Sequence, residues 1–206
     1  DGNGQSELVR CILGLLRHYG GSVILDGTDV TGKTPKEILE HGVAHIPEDR
    51  MTAGVAANLS IRENVIADKL SWKRFSSGGL LKRKEIRTYG EEMVREYQIL
   101  CKSQDVEIGS LSGGNIQKGV VARELSAEPV VVVANQPTRG VDVGASEFIR
   151  QRLIDIRDQG KGVLLITSDL NEVLGLSDSL IVMYEGRIVA YISDVSSMTE
   201  AELGTY

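Results

Sequence analysis

Leu111-Ser112-Gly113-Gly114-Asn115, followed by the apolar run Val130 to Val133 and then by Pro137-Thr138-Arg139-Gly140-Val141-Asp142, is the stretch that decides the reading of this chain. A Ser-Gly-Gly turn that opens into a helix presents several free backbone N–H groups and one hydroxyl. Together with the positive end of the helix dipole they form a clamp for phosphate. A Ser-Gly-Gly tripeptide alone is weak evidence. Its place ahead of a buried strand and a Pro-Thr turn is stronger, because a nucleotidase sets its metal and water-activating residues there.

Working outward, strands and helices alternate. Ser6 to Leu16 reads as a helix, with Leu8, Ile12, Leu15 and Leu16 at helical spacing, broken by Gly20-Gly21. Ser22 to Leu25 starts a strand that turns at Asp26-Gly27. Pro35 suits the first turn of a short helix to His41, and Gly42 ends it. Val43 to Ile46 is a buried strand closed by Pro47, and Ile61 to Ala67 a short helix. From Leu70 to Leu81 no period holds, and Ser76-Ser77-Gly78-Gly79 is loop chemistry. Lys82 to Tyr97 returns to helix, with Ile86, Met93 and Val94 on one side. Helices follow at Asn115 to Leu125, Ala145 to Arg157 and Asp169 to Leu174, with strands at Val130 to Ala134 and Gly162 to Thr167. Two late strands, Ser179 to Tyr184 and Arg187 to Ile192, flank the turn Glu185-Gly186. This alternation predicts an α/β fold with a mostly parallel sheet covered on both faces, plus a small antiparallel part.

Bulk properties set limits. The 206 residues suffice for one domain with a real core, and 41% hydrophobic with 25% charged residues is ordinary for a globular protein. The net charge of −6 argues against a nucleic-acid partner, which needs a basic footprint. No apolar run reaches the roughly 18 residues that span a bilayer, and no segment has the make-up of a signal peptide. Cys11 and Cys101 are the two cysteines, and with no paired spacing a reduced cytoplasmic compartment is the simplest reading. The chain opens at Asp1, already inside a motif, and so is expected to be part of a longer polypeptide. A strand missing ahead of that motif would leave an unpaired edge inside the sheet.

That motif, Asp1-Gly2-Asn3-Gly4-Gln5-Ser6-Glu7, is similar to the end of a phosphate-binding loop, G-x-x-x-x-G-K-[ST]. With the Ser-Gly-Gly turn, the apolar strand and the Pro-Thr turn, it resembles the Walker A, signature, Walker B and D-loop motifs of an ATP-binding cassette. The resemblance covers nearly the whole chain. Pro47-Glu48-Asp49-Arg50, the following Arg62-Glu63-Asn64, and Thr138 to Ala145 resemble the sugar-importing branch most specifically. It implies the P-loop NTPase fold of that family, divided as residues 1–60 (first part of the core), 61–110 (an inserted helical subdomain) and 111–206 (signature, Walker B, D-loop and the rest of the core). Residues 61–110 leave no room for the long coiled coil of DNA-repair relatives.

The resemblance also exposes departures. Gln5 stands where the loop lysine belongs: its amide donates hydrogen bonds but carries no charge, and a bond to a charged group is worth roughly 1.5–3 kcal/mol against about 1 for a neutral pair. Glu7 adds a negative charge that repels phosphate. Glu48 takes the Q-loop glutamine position. Asn135 and Gln136 replace the aspartate and glutamate that end the Walker B strand, so general-base catalysis, typically about 10²- to 10⁴-fold, is lost at Gln136. Ser168 stands for the switch histidine. Ser6 and Asn135 are left as weak ligands for Mg2+. Ser112, Gly113 and Gly114 are intact, and Asn115 is a small change from glutamine.

Cassettes of this family pair head to tail, each signature completing the ATP site on its partner's loop. The resemblance therefore implies a domain whose own site is degenerate but whose signature serves a second nucleotide-binding domain, with Asp142 bridging as the D-loop. Implied with it are ATP and Mg2+ as cofactors, transmembrane permease subunits, an extracytoplasmic substrate-binding protein, and a place on the cytoplasmic face of the cell membrane. The transported molecule, sugar or nucleoside, is read by other subunits. Two other functions stay open: a regulatory cassette that only dimerises, and a translation-associated cytoplasmic ATPase, which the acidic balance disfavours. His41 and His45 are separated by a glycine and a change of element, which argues against a metal site. The cations Lys73, Arg74, Lys82, Arg83, Lys84 and Arg87 read first as a solvated face, with lipid head groups or a permease loop as the alternative. Trp72 and Phe75 are candidate anchors for a partner.

Overall fold

The computed structural model describes residues 2–17, 20–196, 198–199 and 202. Three parallel strands form its centre: β3 (Val43–Ile46), β6 (Val131–Asn135) and β7 (Gly162–Ile166), in the order β3-β6-β7, with Val43 opposite Val131 and Val131 opposite Gly162. Before them come α1 (Gln5–Ile12), the antiparallel pair β1 (Ile24–Leu25) and β2 (Thr28–Asp29), and α2 (Pro35–Glu40). Between β3 and β6 lie α3 (Ile61–Val65), the hairpin β4 (Ser76–Ser77) and β5 (Leu80–Leu81), α4 (Arg83–Glu96) and α5 (Gly113–Leu125). After β6 follow α6 (Val143–Asp158), β7, α7 (Leu170–Leu176), and the antiparallel pair β8 (Leu180–Tyr184) and β9 (Arg187–Ile192).

The period-two alternation of β3 and β6 assigns the sheet's two faces. Ala44, Ile46, Val132 and Ala134 enter a large core with residues of α3 to α6. Val43 and Val133 enter a second, with Val9 and Leu13 of the first helical segment and Ile38 of α2. Burial on both faces is why these strands are near-continuous Val, Ile and Ala. Phe75, Ile61, Val65 and Ile108 belong to the same large core, so the helical segment is packed against the sheet domain without a separate centre. Among the described residues no helix is long and apolar enough to cross a membrane.

The capped helix starts were written locally. Thr34 and Glu37 form a capping box at α2, and Ser60 and Glu63 another at α3, each satisfying backbone N–H groups that the helix leaves unpaired. Two sequence expectations need correction. The first helix ends at Ile12, and its buried residue is Val9, while Leu8, Leu15 and Leu16 are exposed; Leu8 lines a cavity of about 430 Å³ between α1, β7, α7 and β8. The free edge of β7 and the start of β8 also line it. The stretch 70–81 is not simply loop, because Gly78 and Gly79, both at positive φ, turn β4 into β5. The remaining element ends move by at most two residues, with α5 starting at Gly113 instead of Asn115.

Candidate functional site: a signature turn and a self-bonded loop

Helix α5 is preceded by Ser112, whose extended backbone (φ −63, ψ 155) ends the loop and whose side chain makes no capping bond to the helix. The N–H groups of the first turn thus have no partner inside the helix. Asn115 donates from Nδ2 to Ser112 Oγ at 2.8 Å, and its Oδ1 accepts the Leu100 N–H at 2.8 Å. The hydroxyl oxygen is thereby occupied as an acceptor, leaving the hydroxyl hydrogen available to an incoming anion.

The two glycines are dictated by what lies beside them. A Cβ on Gly114 would stand 2.6 Å from Asp142 Oδ2 and 2.8 Å from the Ala145 Cβ. A Cβ on Gly113 would stand 2.8 Å from Arg50 Nη2. Asp142 caps α6, its Oδ1 accepting the Ala145 N–H at 2.9 Å, while its exposed side chain stays on the outer surface. Asp142 is therefore held against the signature within this one chain.

The phosphate-loop remnant is closed on itself. Gly4 sits at φ 98 as the first residue before α1, with no side-chain cap. Gln5 Oε1 accepts the Asn3 N–H at 3.0 Å, so the residue expected at the lysine position consumes a loop amide that would otherwise face an anion. The Asn3 carbonyl accepts the Gly186 N–H at 2.9 Å, and Asn3 Oδ1 accepts the Glu185 N–H at 3.1 Å. The β8–β9 turn is thus seated on the loop. Ser6 Oγ donates to Glu48 Oε2 at 3.2 Å, and Arg139 pairs with the other oxygen of the same carboxylate.

At the end of β6, Asn135 and Gln136 are both buried, and Gln136 takes the left-handed conformation at φ 49. Gln136 Nε2 lies 3.3 Å from Ser168 Oγ, so the two residues expected at the Walker B glutamate and switch histidine positions meet each other. Among the described residues no group of three or more His, Cys, Asp or Glu side chains is placed to hold a metal. Without a cation in the loop, with one amide consumed by Gln5 and the Ser6 hydroxyl given to Glu48, these residues do not fit a firmly held Mg2+-triphosphate. The signature turn, with its open amides and donor hydroxyl, does fit a phosphate oxygen.

Sequence spacing missed several contributors. Arg50 donates from Nη1 to the Arg139 carbonyl at 2.8 Å and from Nη2 to the Gly140 carbonyl at 3.1 Å, fixing the D-loop beside Gly113. Buried Glu172 accepts from the Thr138 hydroxyl and from Arg150 Nε at 3.1 Å, tying α7 to the Pro-Thr turn. Arg50 stood inside the quoted Pro-Glu-Asp-Arg element, but its partners are 89 and 90 positions away. No local pattern could have found them.

Residues 1–139 match the family model described as ABC transporter. The guanosine import ATP-binding protein NupO of Bacillus subtilis is 40% identical over 99% of this chain and 40% of its own length. The glucose import ATP-binding protein TsgD13 of Haloferax volcanii is 43% identical over 91% of this chain and 34% of its own, and the ribose import ATP-binding protein RbsA of Oceanobacillus iheyensis 38% over 91% and 37%. The chain thus spans about two fifths of the length of the curated relatives it matches. Its fold is that of the dimeric ABC transporter cassette MJ0796, with a TM-score of 0.77 at 21% identity over 96% of this chain and 83% of that one. A nucleotide-free ATP-binding cassette from an ABC transporter gives 0.75 at 24% identity over 100% and 80%. On this evidence the chain is an ATP-binding domain of the ABC transporter family.

Proposed function

We propose that this domain is the C-terminal cassette of a tandem ATPase subunit in an importer for simple sugars or nucleosides, and that it works by lending its signature to ATP seated on the N-terminal cassette. The observation that carries this reading is the contrast between two glycine turns. One is open, with Ser112 held by Asn115 and the α5 amides uncapped. The other is bonded to itself through Gln5 and Asn3. Relatives named for guanosine, glucose and ribose import support the transport class without choosing among substrates.

In this account the Ser112 hydroxyl and the amides of Gly113 and Gly114 donate to the γ-phosphate, each charge-assisted bond contributing roughly 1.5–3 kcal/mol. Asp142 carries the D-loop across the interface. Residues 61–110 act as the helical subdomain between the two parts of the nucleotide-binding core, 1–60 and 111–206. Mg2+ and the groups that polarise water are supplied by the partner domain. At this domain's own loop, Gln5, Asn135, Gln136 and Ser168 leave nucleotide binding weak and hydrolysis absent. The complete assembly would add two permease subunits and an extracytoplasmic binding protein, with this domain peripheral on the cytoplasmic face.

The test is ATPase activity of this domain alone, of the full-length subunit, and of the full-length subunit with Ser112→Arg. The expected pattern is negligible, active and strongly reduced. Brisk turnover by the domain alone, or undiminished turnover with Ser112→Arg, contradicts the reading. An inactive full-length subunit with an assembled permease would favour a purely regulatory cassette instead.

A further inference from the structure

In a chain of net charge −6, the stretch from Lys69 to Arg87 holds seven basic residues and one acid, Glu85. Three of the seven are paired with carboxylates of the protein. Lys69 is fully buried, pairs with Asp68 and donates to the Arg123 carbonyl. Arg74 pairs with Glu92 at 2.8 Å and lies 4.9 Å from the centre of the Tyr89 ring. Arg87 is shared between Glu91 at 3.5 Å and Asp105 at 3.7 Å. The other four, Lys73, Lys82, Arg83 and Lys84, are exposed, and none pairs with a carboxylate among the described residues; Lys82 keeps a surface bond, from Nζ to the Lys73 carbonyl at 2.8 Å.

Apolar side chains are interleaved with these four. Leu80 is 76% exposed and Leu81 54%, on the second strand of the β4–β5 hairpin, and Leu70 and Trp72 are also exposed. The turn beneath them is open: a Cβ on Gly78 or Gly79 would meet nothing within 4 Å. Lys82, Arg83 and Lys84 then form the cap and first turn of α4, which has no side-chain cap. The positive end of a helix dipole favours anions, so three cations there oppose the helix that carries them. Exposed leucines and misplaced cations within one short segment break two local rules at once, and such departures mark functional sites.

An anionic surface with an apolar layer behind it satisfies both departures. We propose that residues 70–84 form a docking hairpin for anionic lipid head groups, with Lys73, Lys82, Arg83 and Lys84 on the phosphates and Leu80, Leu81 and Trp72 at the acyl boundary. Trp with basic residues and exposed Leu is the composition of interfacial anchors, and each cation near an anionic bilayer strengthens binding by about fivefold. Residues 77–85 are exposed without a break, and such a continuous open surface suits a lipid layer better than an acidic peptide. It goes beyond the transport reading and does not depend on it, since the test measures binding and not turnover.

The experiment is flotation of the full-length subunit, without its permease, with vesicles of phosphatidylcholine alone and of phosphatidylcholine doped with phosphatidylglycerol. Trp72, the one tryptophan in these 206 residues, reports insertion through a blue shift in emission measured against a Trp72→Phe control. The expected result is binding to the doped vesicles only, weakened by salt and accompanied by the shift. Joint Lys82→Glu, Arg83→Glu and Lys84→Glu substitution should lower affinity about a hundredfold or more. Joint Leu80→Ser and Leu81→Ser substitution should abolish the shift while leaving a weaker, purely electrostatic association. Both variants should keep the wild-type far-ultraviolet circular dichroism spectrum and thermal midpoint, showing that they fold. Equal binding to both vesicle types, no binding to either, or wild-type affinity in the charge-reversed variant overturns the proposal. Loss of vesicle binding together with crosslinks from Lys82 or Lys84 to a permease loop would assign the patch to protein.

Discussion

Asn115 binds Ser112 with its amide nitrogen and the Leu100 backbone with its amide oxygen, each at 2.8 Å, and so fixes the direction in which the signature hydroxyl can donate. Its role is to position, since these two bonds tie it to Ser112 and to the loop backbone. Asn115→Ala should lower ATPase of the complete transporter roughly tenfold, the equivalent of one hydrogen bond of about 1–1.5 kcal/mol, with little change in thermal stability. Asn115→Gln should recover part of the rate. Steady-state turnover with a melting curve for each variant measures this; an unaltered rate in Asn115→Ala would remove Asn115 from the account.

The two signature glycines should fail differently. At Gly114 an added methyl meets Asp142, which is fixed as the cap of α6, and Ala145 in the same helix. Gly114→Ala should therefore cost about 1–3 kcal/mol of stability in urea unfolding. At Gly113 the obstacle is the end of the Arg50 guanidinium, which can swing away. Gly113→Ala should be nearly as stable as wild type yet lose ATPase in the complex, because Arg50 then releases the D-loop carbonyls. A reversed order of stabilities would contradict the packing described.

Acid should loosen the core beside β3. Burial, and secondarily Arg123 nearby, push His45 down to about 4 from an ordinary value of 6.5, and its Nε2 is buried without a partner. The folded state then binds fewer protons than the unfolded chain between these two values. Stability is complete above about pH 6.5 and falls as pH drops towards 4, by on the order of 3 kcal/mol in total. His45→Gln should flatten that part of the pH-stability curve. If the slope between pH 6.5 and 4 is the same in both proteins, another group is responsible.

Glu172 links three elements through Thr138 and Arg150, and its second oxygen is buried without a partner. Glu172→Leu should destabilise by about 1–3 kcal/mol, since the half-buried Thr138 hydroxyl loses its acceptor and Arg150 keeps only its pair with Asp169. Glu172→Gln, which keeps an acceptor, should cost distinctly less. Denaturant midpoints at neutral pH give the comparison, and equal losses would mean that shape and not hydrogen bonding sets the cost.

The sequence carried the sheet well because β3 and β6 are buried on both faces and so are written as unbroken apolar runs. It misled at α1, where the helical spacing of Leu8, Ile12, Leu15 and Leu16 carried the helix on to Leu16, whereas it ends at Ile12 and the buried residues are Val9 and Leu13. Periodicity marks an apolar stripe; what lies opposite decides which residues become buried. The hairpin at 76–81 was hidden because each strand has only two residues, too few for an alternation. At the site, residue types were legible and pairings were not. Gln5, Asn135, Gln136 and Ser168 announced their chemistry singly. That Gln136 meets Ser168, that Glu48 joins Ser6 to Arg139, and that Arg50 holds the D-loop all required the fold.

A structure of the full-length subunit closed around a non-hydrolysable ATP analogue measures directly where ATP sits. The γ-phosphate should lie on the partner cassette's loop, about 3 Å from the Gly113 amide and the Ser112 hydroxyl of this domain. A nucleotide seated firmly on Gly4 to Ser6, with no phosphate near Gly113, would contradict it.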